Sequence, residues 1–164
     1  MNTPVGVKMR NLWQRLSPLP GGKFLFSRLV GVVIPYTGSM GARVEQLQPG
    51  HAIVRLPDRR RVRNHLRSIH AIALANLAEF TTGLATLSGM PDTARAILVG
   101  LEIEYSKKAR GEIISECITS IPETEDRQEY KVEVILRDSS GDTVATAWAR
   151  WLIGPQEASS RKPQ

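Results

Sequence analysis

The chain changes its hydrophobic period three times. In "VKMRNLWQRLS" the apolar residues Leu12, Trp13 and Leu16 share one face of a helix, which "PLPGG" breaks. "KFLFSRLVGVVIPY" resumes the helical pattern, and Pro35 is expected to end it. From Gly41 the period falls to two. "ARVEQLQPGHAIVRLP" sets Val44, Ala52, Val54 and Leu56 in alternation around Pro49-Gly50, which predicts strand, turn and strand. An arginine-rich loop then leads into a long helix predicted over residues 70–88, closed by the Gly and Pro of "SGMPDT".

Four more strands are predicted. "ARAILVGLEIEYSKKA" alternates Leu101, Ile103 and Tyr105 with Glu102 and Glu104, and "GEIISECITSI" follows a Lys-Lys-Ala-Arg-Gly turn. "EYKVEVILRD" and "TVATAWARWLI" flank the hairpin turn "SSGD". These strands are expected to form an antiparallel meander in sequence order, with the long helix across its concave face. The fold class is therefore α+β. Residues 1–38 read as a helical extension, 39–154 as the domain, and 155–164 as a tail without regular structure. The extension is expected to pack on the outside of the fold; a lid over a substrate cleft is the sharper alternative.

Composition narrows the class. A chain of 164 residues with 41% hydrophobic and 23% charged residues suits one globular domain. No apolar run reaches the roughly 18 residues of a membrane span, and the N-terminus lacks the pattern of a signal peptide. One cysteine, Cys117, excludes an internal disulfide and reads as a small buried hydrophobe; no metal site is expected. The cytoplasm is the expected location. The net charge is +6, which raises a nucleic-acid partner, but only 5% of residues are aromatic and little is left for base stacking. The basic excess is concentrated in "RLPDRRRVRNHLR". That loop reads as a solvated arginine cluster or as a site for a phosphate-bearing ligand, and nucleic acid is not the expected partner.

The most informative feature lies in the long helix. Its apolar run is interrupted by one acid, Glu79, between Leu77, Ala78 and Phe80, with His65 and His70 at its entrance. A carboxylate so placed is either a surface residue paired with an arginine or a group sheltered for chemistry, where burial raises its affinity for a proton.

Asn64, His70, Glu79 and Gly83 stand six, nine and four residues apart in turn. In that spacing the chain resembles the phenylacetic-acid-pathway type of acyl-CoA thioesterase, a hotdog fold in which a curved antiparallel sheet wraps a long helix. Ser68, the "LAE" ending at Glu79, "IEYSKKARGE" and "LRDSSGDTVATA" extend the likeness over about residues 41–153. Two positions depart from the pattern: the Gly-Gly after the histidine is Ala71-Ile72, and the usual Asp is Glu79. The early helices point to a separate branch of the superfamily.

The resemblance implies a function. Glu79 would be the base or the nucleophile toward a thioester, and the Ala71 amide would polarise its carbonyl at the helix start. Asn64 and His70 would hold the loop and substrate, with Asn76 orienting the carboxylate. The substrate would be an acyl-CoA or acyl-carrier thioester, with coenzyme A as part of the substrate and no separate cofactor. Arg61, Arg63, Lys107 and Lys108 would meet its phosphates. The site would lie between subunits of a homodimer or tetramer. A Gly-only backbone at positions 71 and 72 would weaken catalysis and leave a non-catalytic acyl-binding module. A hydroxyacyl-thioester dehydratase is the other alternative, using His65 fourteen residues before Glu79.

Overall fold

A computed structural model describes residues 4–120 and 126–155; from residue 156 on, the segment expected to be an irregular tail lies outside them. The chain opens with three helices, α1 (Val5–Leu16), α2 (Gly22–Val33) and α3 (Pro35–Met40). Pro35 ends one helix and starts another. Its missing N–H and fixed φ suit a first helical turn, so α3 is an element the period did not predict. The hairpin β1 (Arg43–Gln48) and β2 (His51–Leu56) follows, turning at Gly50 with φ +74°. Next come the long helix α4 (Ala71–Gly89), β3 (Ala94–Tyr105), β4 (Ile113–Ile118), β5 (Gln128–Asp138) and β6 (Thr143–Pro155).

The six strands form one antiparallel sheet in the order β1-β2-β4-β5-β6-β3. The expected four-stranded meander is thus only β4-β5-β6. β3 crosses over and pairs with the far side of β6, from Ala94–Pro155 to Tyr105–Ala145. Strand length gives the reason. β3 has 12 residues, β4 has 6 and β6 has 13, so pairing with β4 would leave half of β3 without partners for its backbone groups. The connection from β3 to β4 passes the start of α4, where the buried Ala109 accepts the Ile69 N–H at 2.8 Å.

α4 contacts all six strands. It is mostly apolar, with Leu74, Leu77, Ala78, Leu84 and Ala85 all buried, as befits a helix enclosed on several sides. Sheet residues facing it include Val54, Leu56, Val132, Val134 and Leu136, all buried in the expected alternation. Cys117 is fully buried in β4, and burial pushes its thiol up to about 12.

The early helices pack on α4 and the hairpin. Gly6 of α1 lies against the Leu87 carbonyl with no room for a β-carbon. Arg10 donates to the carbonyls of Ser88 and Met90 at 3.2 and 3.4 Å and pairs with Asp92. A cation thus satisfies carbonyls at the end of α4 and ties α1 to it. Trp13 and Phe26 join α1 to α2 edge to face, with centroids 5.0 Å apart. Ser27 Oγ accepts the Val44 N–H at 2.9 Å and fixes α2 to β1. Thr37 Oγ1 donates to Asn76 Oδ1 at 3.0 Å and fixes α3 to α4.

Candidate active site

The loop entering α4 is organised by Asn64. Its Oδ1 accepts from the Leu66 N–H at 2.9 Å, the Ser68 N–H at 3.2 Å and the Ser68 hydroxyl at 3.1 Å. Between them Arg67 takes a left-handed conformation, φ 56°. This oxygen is therefore committed to the turn. His70 is the N-cap of α4, and its Nδ1 accepts the Ile72 N–H at 3.0 Å. The Ala71 N–H has no acceptor among the described residues and lies on an exposed residue at the positive end of α4. Neither Ala71 nor Ile72 has positive φ, so nothing in the backbone here calls for glycine. Ala71 itself is held by the Tyr105 hydroxyl, which donates to its carbonyl at 3.0 Å.

Glu79 is half-buried and faces a cavity of about 450 Å³ bounded by α1, α2 and α4. Met9, Leu12, Leu29, Val33, Leu84 and Trp151 line it. Its carboxylate makes no hydrogen bond or ion pair among the described residues, and burial raises its pKa above the ordinary value. Among the described residues, Lys8 is the only other charged residue lining this cavity. The carboxylate is partly sheltered and, among the described residues, is not locked to an arginine. Trp151 closes the deep side: its indole N–H donates to Thr82 Oγ1 at 3.3 Å. Gly83 admits the ring, since a β-carbon there would stand 3.2 Å from Cη2.

The other sequence candidates fall in different places. Asn76 accepts from the Thr37 hydroxyl and, among the described residues, makes no hydrogen bond to Glu79, so it does not orient the carboxylate as expected. Arg63 is paired with Asp58, which also accepts the Gly111 N–H at 3.0 Å. Arg63 holds the Asp58 carboxyl below its ordinary range. Lys107 sits between Asp138 and Asp142 at 2.7 Å from each. Both cations are already neutralised. Lys108 is exposed, and Arg61 lines a second cavity beside α2 and α3. His65 is exposed in the Asn64 turn and does not line the Glu79 cavity. Within one chain the Ala71 N–H and Glu79 are eight residues apart, about 12 Å along the helix axis.

The period of α1 and α2 showed two amphipathic helices and not where their apolar faces would go. The structure makes them walls of the Glu79 cavity. Among the described residues no group of three or more His, Cys, Asp or Glu side chains is placed to hold a metal, and no helix is long and apolar enough to cross a membrane.

A curved antiparallel sheet wrapped on one long helix, with helices added before it, is the hotdog fold. The chain belongs to the family described as Domain of unknown function (DUF4442), which it matches over residues 22–153, a span that takes in α2 and α3. The structural-genomics protein APC5556 is similar at 29% identity and a TM-score of 0.80, over 91% of this chain and 99% of that one. PA5026 from Pseudomonas aeruginosa, called a protein of unknown function and a probable thioesterase, is 26% identical with a TM-score of 0.73, over 84% of this chain and 97% of that one. A thioesterase family protein from Silicibacter pomeroyi shares the fold at 19% identity and a TM-score of 0.68, over 79% and 96% of the two chains. No curated protein matches the sequence.

Proposed function

We propose that the protein hydrolyses an acyl thioester, with Glu79 as general base and the Ala71 amide as the carbonyl-polarising donor. The observation that carries the proposal is the Glu79 carboxylate: half-buried, without a counter-ion among the described residues, and facing an apolar cavity large enough for an acyl chain. The likeness to PA5026, called a probable thioesterase, supports it. A water held by Glu79 would lose a proton to the carboxylate as its oxygen attacks the thioester carbon. The oxyanion would form at the Ala71 N–H, and its collapse would expel the thiolate, which takes the proton back from Glu79.

The 12 Å between these groups in one chain supports a site in which base and donor come from two copies. The open edge of β3 supports a homodimer. It is a 12-residue edge strand exposing Ile97, Val99 and Leu101, a template for edge-to-edge pairing. Ordinary φ at Ala71 and Ile72 favours the enzyme over the non-catalytic module. The substrate is an acyl group on coenzyme A or an acyl-carrier protein. The test is thiol release from a panel of acyl-CoAs, with Glu79→Gln beside the parent. Turnover by the parent that falls on the order of 100-fold or more in Glu79→Gln supports the reading. Equal turnover removes Glu79 from the mechanism, and tight acyl-CoA binding without turnover makes the protein a binding module.

A further inference from the structure

The second cavity, about 440 Å³, opens between α2, α3, the start of β1 and the arginine loop. Four arginines line it: Arg28 from α2, Arg43 from β1, and Arg59 and Arg61 from the loop. Arg59 and Arg61 converge on one spot. Gly41, at φ +68°, has no β-carbon, and one there would overlap Arg61 Nη2 and come within 3.3 Å of Arg59 Nη1. Arg61 also reaches the Met40 carbonyl at 3.5 Å, and Arg43 stacks over Phe24 at 5.6 Å.

None of the four has an acidic partner among the described residues. The acid of their own loop, Asp58, is spent on Arg63 and Gly111. Glu45, two residues after Arg43, is paired with Arg55. The polar side chains of the cavity are satisfied too: Thr37 donates to Asn76, and Ser27 accepts from Val44 and donates to the Lys23 carbonyl. The unmatched groups that remain are cations. Guanidinia gathered without a counter-charge repel one another, and their planar donor forks suit phosphate oxygens.

We infer that Arg28, Arg43, Arg59 and Arg61 form a binding site for a phosphate-bearing ligand. The site abuts the Glu79 cavity, because Val30 and Phe80 line both. A ligand with a phosphate head and an apolar tail would place the head among the arginines and the tail against α1 and α2. The anion site stands whether or not Glu79 hydrolyses anything; only its pairing with the acyl cavity rests on the proposed function. It also draws the charge partner away from Arg63 and Lys107, which are already neutralised.

The test is calorimetric titration of the full chain with inorganic pyrophosphate, with no thioester present. Binding should weaken as salt rises and fall about tenfold or more in Arg59→Ala and in Arg61→Ala. The exposed Arg28→Ala gives a second variant in case the loop itself shifts. Arg137→Ala, on the sheet, should bind as the parent does. Coenzyme A binding more tightly than pyrophosphate, and losing the same factor in the variants, assigns the phosphate to the coenzyme. The same behaviour from a short-chain phosphatidate assigns it to a lipid head. No pyrophosphate binding, or equal binding in the parent and all arginine variants, overturns the site.

Discussion

His70 Nδ1 accepts the Ile72 N–H at 3.0 Å, and this leaves the Ala71 N–H as the free donor at the start of α4. Ala71 is the first residue of the helix and His70 before it has φ −65° and ψ 139°. A proline is tolerated at such a position and after such a residue. Ala71→Pro should therefore keep the fold and delete only the donor. Thiol release should drop about 100- to 1,000-fold, while the circular dichroism spectrum and melting temperature stay close to the parent's.

Burial raises the Glu79 pKa, so the folded chain holds that proton more tightly than the unfolded chain. Stability from this group is present below the ordinary value of 4.5 and is lost as pH rises through the raised folded value. Glu79→Gln should thus raise the melting temperature at pH 7 and leave it unchanged at pH 4. Hydrolysis runs the other way: the base must be ionised, so the parent's kcat should fall as pH drops through the same window.

The cavity walls from α1 predict chain-length preference. Met9 faces the Glu79 cavity from a helix tied down by Arg10 and Gly6. Met9→Trp fills part of it. The kcat/KM for long acyl chains should fall about tenfold or more while that for acetyl or butyryl thioesters is nearly unchanged, each lost methylene contact being worth about 1–3 kcal/mol. A uniform loss across all chain lengths would remove α1 from the acyl site.

The edge of β3 predicts assembly. Ile97 and Leu101 are exposed on it at 53% and 37%. Lysines at both positions should block edge pairing through like charge. Sedimentation should then show a monomer, and hydrolysis should be lost with the dimer under the proposal that base and donor come from different copies.

Much of this was legible in the chain. The switch between periods of 3.6 and 2 located α1, α2, α4 and all six strands, because burial on one face imposes those spacings. Glu79 stood out since an acid in a mostly apolar helix has few inexpensive places to point. The β3–β6 pairing was not legible. Alternation marks a strand without naming its neighbour, and sequence order suggested β4, which is half too short. Nor did "IPY" reveal that Pro35 opens α3 as well as closing α2.

The order of residues by itself determined the elements, the apolar character of α4 and the one acid that interrupts it, because periodicity and local turn chemistry are properties of neighbours in the chain. Tertiary structure decided which charges remain free. Arg63 and Lys107 look as available in sequence as Arg59 and Arg61, yet Asp58, Asp138 and Asp142 reach only the first pair. It also decided that residues as distant as Met9, Leu29, Glu79 and Trp151 enclose one cavity. Coulomb attraction and apolar contact depend on separation in space, and only the packed chain sets that separation.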